Sequence, residues 1–211
     1  MDRTDGTEAA PSAPSEAAAA RGAVLAGGRG SRLGGVKPTV RLAGRPLVSY
    51  PLAALAAAGI DAFVVAKADT ELPAGIEVVV EPAEPTHPLA GIVAALRHAG
   101  RPLVVLGCDF PFAPPALLRA LAEASEPLVV PAPGGDPQPL MARWAPELLP
   151  RLEAALEREE PLRRTLAALA PRLLDDAESA PFGDPSRSFL NVNTPADLRA
   201  AEAMATEPPP T

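Results

Sequence analysis

The chain has almost none of the residues that build disulfide frameworks, metal cages or stacking platforms. One cysteine in 211 residues, Cys108, excludes an intrachain disulfide and a cysteine-cluster metal site. Two histidines, His87 and His98, argue against a histidine-ligated zinc centre. Aromatics make up only 3% of the chain, too few for a platform on which nucleic-acid bases stack. Nineteen basic residues against 26 acidic ones leave a net charge of −7, which disfavours a broad nucleic-acid surface. No run approaches the ~18 consecutive apolar residues of a membrane span. The opening segment, MDRTDGTEAAPSAPSEAAAARG, carries acids where a secretory signal has a basic region. With a free thiol at Cys108, this predicts a cytoplasmic protein without a membrane partner.

What is present suffices for a core, since 47% of residues are hydrophobic and 21% charged. Residues 1–20 and 206–211 are Ala-, Pro- and acid-rich and are expected to be disordered tails around one folded domain, 21–205. Within it, apolar runs alternate with helical patterns. Strands are predicted at 22–26, 61–66, 76–80, 103–106, 128–130, 139–143 and 172–174. Helices are predicted at 46–58, 89–98, 114–124, 146–159 and 161–170, with a last one opening at Thr194-Pro195. That alternation predicts an α/β domain whose mostly parallel sheet is covered on both faces. Ligands in such sheets sit outside the carboxyl ends of the strands. Two strand ends draw attention: Ala26-Gly27-Gly28 and Gly107-Cys108-Asp109.

The first of these opens LAGGRGSRLGGVK, Leu25 to Lys37, with five glycines and three cations in thirteen residues. Glycines allow backbone N–H groups to approach a bulky anion. From Ala17 to Ile60 there are six cations (Arg21, Arg29, Arg32, Lys37, Arg41, Arg45) and no acid, so this stretch is +6 and the rest of the chain −13. Such segregation points to a polyphosphate site rather than an ordinary glycine-rich turn. It is not a Walker loop, because Lys37 is preceded by Val36 and followed by Pro38. Nor is it a dinucleotide fingerprint, because the spacing is G-x-G-x-x-x-G and the next acid is Asp61.

At the second strand end, Asp109 is either a loop-capping carboxylate or a Mg²⁺ ligand. Mg²⁺ prefers one or two carboxylates with phosphate and water. Cys108 beside it reads as a small buried hydrophobe. His87 reads as a loop residue, with a substrate contact as the alternative, and His98 as a structural residue near a helix end. Asn191 and Asn193 point to one side of an extended segment. They either cap the following helix or hold metal or substrate. Arg163 and Arg164 read as a solvated helix face, with contact to an acceptor phosphate as the alternative.

Taken together, LAGG…SRLG…K resembles the signature of nucleotidyltransferases that activate small molecules with a nucleoside triphosphate. In its LAGG form it resembles the molybdenum cofactor guanylyltransferase family. Pro88-Leu89-Ala90-Gly91 is similar to that family's GPLAG. Cys108-Asp109-Phe110-Pro111-Phe112 is similar to its metal-binding CDxP segment. Phe189 to Leu198, FLNVNTPADL, is similar to its closing NVNTPEDL. The sequence departs from the pattern at Val36 (family Asp), Ala66 followed by Lys67 (family Asn), Glu81 (family Asp at the guanosine edge) and His87 (family Gly).

The resemblance implies a three-layer, Rossmann-like nucleotidyltransferase fold that takes GTP, Mg²⁺ and a molybdopterin-type phosphorylated acceptor. It implies transfer of GMP to the acceptor phosphate with release of pyrophosphate, and molybdoenzyme assembly proteins as partners. It implies a nucleotide site of Leu25, Ala26, Gly27, Gly28, Arg29, Lys37, Glu81 and Asp109, with Lys37, Arg32 and Asp109 catalytic. Asp109 would hold the metal, and Asn191 and Asn193 would lie on the acceptor side. Two other readings fit the departures: a cytidylyl- or guanylyltransferase for another phosphorylated metabolite, and a relative that binds nucleotide without turnover.

Overall fold

The structure, a computed structural model, describes residues 19–27 and 37–206. The chain runs β1 (Arg21–Leu25), a 3₁₀ turn at Lys37–Thr39, a hairpin of β2 (Arg41–Leu42) and β3 (Arg45–Pro46), and α1 (Ser49–Ala57). Next come β4 (Ala62–Ala66), β5 (Val78–Val80), α2 (Pro88–Ala99), β6 (Leu103–Gly107), α3 (Pro115–Glu123), β7 (Leu128–Pro131) and β8 (Met141–Trp144). It ends with α4 (Leu149–Glu157), α5 (Leu162–Leu169), β9 (Arg172–Leu174), α6 (Asp176–Ser179), α7 (Pro185–Ser188) and α8 (Pro195–Thr206). The tails expected at 1–20 and 206–211 fall outside the described residues, apart from Ala19, Ala20 and Thr206, which closes α8.

Seven strands form one sheet in the order β5-β4-β1-β6-β8-β7-β9. Pairing is parallel except at β8, which runs antiparallel to β6 and β7. The strands alternate sides with a period of two, as a pleated backbone requires. In β4, Phe63 and Val65 join a core with α2, α4 and α5. Val64 and Ala66 join a second core with α1 and α3. The sheet is thus the middle of three layers. Trp144 is fully buried in the first core and donates its indole N–H to the Pro139 carbonyl, 3.1 Å away. Its replacement by Ala is expected to cost about 3–5 kcal/mol. A third cluster ties Leu42 and Leu47 of the hairpin region to Val192 and to Ala201 of α8.

The helix expected from Pro46 begins at Ser49, because Pro46 belongs to β3. The hairpin turn is Ala43-Gly44, both with positive φ (46° and 80°), which matches the twist of a two-residue connection. α2 is bounded as its sequence suggests. The His87 ring nitrogen Nδ1 accepts from the Leu89 N–H (3.1 Å), Pro88 starts the helix, and Gly100 stops it in a left-handed conformation.

The topology fixes where a ligand can go. From β1 the chain passes through α1 on one face to β4 and β5. It then crosses through α2 on the other face to β6, on the opposite side of β1. The strand order therefore reverses at β1, and its carboxyl end is a topological switch point.

Candidate active site

The cleft at this switch point has a volume of about 280 Å³. Backbone hydrogen bonds in register with the sheet assemble its floor. The Ala26 N–H donates to the Val65 carbonyl (2.8 Å) and the Cys108 N–H to the Leu25 carbonyl (3.1 Å). The Glu81 N–H donates to the Ala66 carbonyl (2.9 Å). These bonds bring the ends of β1, β4, β5 and β6 to one rim. Leu25, Gly27, Lys37, Glu81 and Asp109 all line the cleft, so five of the expected site residues, spread over 85 positions of sequence, converge.

Lys37 is the polar centre. Its ammonium donates to Asp109 Oδ2 at 2.7 Å and to Asn193 Oδ1 at 2.6 Å. The end of the cationic loop therefore meets the aspartate expected to face it. Asn193 Nδ2 in turn donates to Asn191 Oδ1, so the two asparagines do share one side of their segment. That segment is anchored twice. The Val192 N–H donates to the Asp109 carbonyl (2.9 Å), and Asp197 Oδ2 accepts from the N–H groups of Asn193 (3.0 Å) and Thr194 (2.8 Å). The Asn193 N–H bond, followed by those to Thr194, holds the Asp197 carboxyl below its ordinary range. Thr194 Oγ1 accepts from the Asp197 N–H in return (3.2 Å), a reciprocal cap on α8.

Two glycines make room for the acids. A side chain at Gly107 would set its Cβ 2.3 Å from Asp109 Oδ1, and one at Gly27 would set its Cβ 1.9 Å from Glu81 Oε1. Both carboxylates are largely buried, at 8% exposed for Asp109 and 7% for Glu81. Cys108 also lines the cleft. Burial, then the neighbouring Asp109 charge, pushes its thiol up to about 12, so it is a packed hydrophobe and no nucleophile at neutral pH.

Other expected residues lie elsewhere. Ala26 turns its side chain into the core beneath α1 and α3 and leaves only backbone near the cleft. Gly28, Arg29 and Arg32 lie outside the described residues. Arg21, counted in the cationic stretch, sits at the opposite end of β1, where it pairs with Asp61 (2.8 Å) and Glu77 (2.7 Å). A five-residue strand spans roughly 16 Å, so Arg21 contributes nothing to the cleft. Arg163 pairs with Asp136 (3.0 Å) beside a second groove that shares no residue with the first. His98 contacts Glu77 (2.8 Å) and the edge of Phe63, in keeping with a structural residue.

The arrangement is a small cleft with one anchored cation, two buried carboxylates and a glycine-bearing strand end. It matches known proteins over most of its length. The MobA-like NTP transferase domain covers residues 22–173. The chain belongs to that family. As a member it is a nucleotidyltransferase, the class implied by the signature from Leu25 to Lys37. It is 32% identical over 207 residues to the molybdenum cofactor guanylyltransferase of Rhizobium meliloti (strain 1021), covering 90% of this chain and 94% of that one. It is 34% identical over 190 residues to the enzyme of the same name from Cereibacter sphaeroides, covering 87% and 95%. Among solved structures, the molybdopterin-guanine dinucleotide biosynthesis protein A of Archaeoglobus fulgidus superposes with a TM-score of 0.78 at 28% identity, covering 88% of this chain and 98% of that one.

Sequence reasoning missed part of the family cleft. Val65, Thr86 and Leu140 also line it, and so do His87, Gly91 and Gly107, which the sequence marked out without giving them a place in the site. Gly107 had a usable signal, as the last residue of an apolar strand directly before Cys108-Asp109. Leu140 had none, because it reaches the rim only through the antiparallel placement of β8, where its carbonyl accepts from the Gly107 N–H (2.7 Å).

Proposed function

We propose that this nucleotidyltransferase is a molybdenum cofactor guanylyltransferase. It transfers GMP from GTP to the terminal phosphate of molybdopterin carrying molybdenum. A phosphate oxygen of the acceptor attacks the α-phosphorus in line, the bond to the bridging α–β oxygen breaks, and pyrophosphate leaves. The attacking phosphate is already anionic near neutral pH, so the site needs no general base. Catalysis is positioning plus electrostatic stabilisation.

The observation that carries this reading is the Lys37–Asp109 contact at the mouth of β1, 2.7 Å long and made across 72 residues of sequence. It joins the phosphate-loop cation to the carboxylate at the end of β6. The backbone of Gly27, with Gly28 and Arg29 beyond it, cradles the triphosphate, and Lys37 offsets the charge growing on its α and β oxygens. Arg32 assists from the same loop. Asn193 keeps the ammonium of Lys37 from turning away, and with Asn191 it forms the acceptor side. Glu81 bounds the nucleoside side.

The residues also suit a divalent ion. Among the described residues no three His, Cys, Asp or Glu side chains converge, so phosphate oxygens and water would supply most of its shell. Asp109, with Oδ1 kept clear by Gly107, would hold Mg²⁺, which when bound supplies charge neutralisation at the phosphates. No helix among the described residues is long and apolar enough to cross a membrane, and we place the reaction in the cytoplasm.

The test is pyrophosphate release by the purified protein with molybdenum-loaded molybdopterin, Mg²⁺ and either GTP or CTP. Release with GTP at least about tenfold faster than with CTP is expected. Equal rates, or nucleotide binding without release, would overturn the assignment.

A further inference from the structure

At the end of β4, where the family pattern has Asn, the chain has Ala66 and then Lys67. Ala66 is buried and cannot reach the cleft. Lys67 is not in the cleft wall either, but it touches the residue that is. Its ammonium lies 3.4 Å from Glu81 Oε1 and donates to the Pro82 carbonyl on the far side. Both side chains are largely shielded from solvent, 14% exposed for Lys67 and 7% for Glu81. The Glu81 carboxylate is thus clamped between the lysine and two glycines. Its Oε1 occupies the space a Cβ at Gly27 would fill, and a Cβ at Gly91, in the first turn of α2, would meet its Oε2 at 3.1 Å.

An ion pair this buried adds little net stability, because the cost of desolvating both charges offsets their attraction. What it does add is orientation. A carboxylate can accept about four hydrogen bonds, and one cation leaves most of that capacity unused. Leu25, Val65, Pro88 and Leu140 make the surrounding wall mostly apolar, and Thr86 and His87, which also line the cleft, bond Glu84 and Leu89 instead. A buried acceptor of this kind calls for a ligand that brings donors with it. Guanine presents two adjacent ones, the ring N1–H and the 2-amino group. Adenine has a ring acceptor and a C–H at the same two places, and cytosine lacks that pair.

We propose that Lys67 is a positioning residue for base selection: it fixes the Glu81 carboxylate against Gly27 so that the acid accepts from the N–H edge of guanine. The inference rests on the guanylyltransferase reading and names the pair that makes the cleft prefer GTP. It also accounts for the departure at Ala66, since a cation one residue later and a longer acid at position 81 together form one unit.

The experiment compares GTP, ITP (which lacks the 2-amino group) and 2′-deoxy-GTP with wild-type protein, Lys67→Met, Lys67→Arg, Glu81→Gln and the Lys67→Met/Glu81→Gln double variant. Binding is read by calorimetry and turnover by pyrophosphate release. The wild type is expected to favour GTP over ITP by about tenfold, the worth of one good hydrogen bond to a charged group. Lys67→Met should raise KM for GTP by about that factor, leave kcat within about twofold, and erase the preference over ITP. Lys67→Arg should restore most of it. Adding Lys67→Met to Glu81→Gln should change little further, because the two residues act as one. The double variant removes both charges, so it reports even if the lone buried acid of Lys67→Met unfolds the protein. Equal losses for GTP and ITP, or additive effects in the double variant, would overturn the proposal. So would a change in the 2′-deoxy-GTP preference with ITP discrimination intact, which would assign the acid to the sugar. A wild type that binds no GTP would instead sink the underlying assignment. A wild type that turns over GTP, with Lys67→Met keeping the full ITP discrimination, would sink this inference alone.

Discussion

The two ends of the cleft are built on opposite plans. Around Lys37 the chain makes a polar network from three distant segments: the end of the glycine loop, the tip of β6 and the residues before α8. Side-chain bonds of 2.6–2.7 Å cross 72 and 156 positions of sequence there. Around Glu81 the wall is mostly apolar, and the acid is held from behind by an ion pair between residues 14 positions apart. In the proposed reaction the network would handle charge that changes, and the wall would meet a base whose charge does not. Alterations at the first end should therefore fall on kcat, and alterations at the second on KM.

The strongest challenge to that division is Asp109→Ala. Turnover should fall by at least about 10³ with the far-UV circular dichroism spectrum unchanged, and normal turnover would remove Asp109 from the mechanism. Lys37→Ala should lower kcat by about 10²–10³ with a smaller change in KM; a loss under about threefold would show that the network is structural only. Asn193→Ala leaves Lys37 paired with Asp109 but frees it on one side, so kcat should drop by about tenfold, consistent with one hydrogen bond to a charged group. At the other end, Glu81→Gln removes the buried acid's charge from the wall and should raise KM for GTP by about tenfold, with kcat within about threefold once GTP saturates. A kcat effect as large as that of Lys37→Ala would erase the distinction between the ends. The smallest effect is expected at Cys108. With the thiol pushed up to about 12, only about one molecule in 10⁴ is thiolate at pH 8, so iodoacetamide should leave the native enzyme active over hours. Rapid inactivation traced to Cys108 would mean that the cleft opens far more than its packing suggests.

The strands were readable from the sequence because central strands of such a sheet are continuous apolar runs bounded by glycine, as in LVVLG of β6. Asp109 and the loop were readable because chemistry at strand ends has a short local signature. Elements whose logic is local but brief escaped notice. The β2–β3 hairpin pairs only two residues on each side. The four-residue helix α6 is set by a capping box between Asp175 and Glu178 rather than by any hydrophobic period. The charge count misled in one respect. Arg21 belongs to the same acid-free stretch as Lys37, but a strand lies between them, and the acids that neutralise Arg21 come from later in the chain. Contacts such as Lys37 with Asn193 depend on how α8 docks against the hairpin, which no short window of sequence encodes.

That docking sets an order of events during synthesis. All seven strands of the sheet precede residue 175, whereas Asn193 and the helix that secures it come last. A chain halted at residue 190 would hold every strand needed for the sheet, yet nothing would tether the lysine from the far bank. The second hold on the ammonium thus arrives after the first, from Asp109, and after the scaffold is already in place.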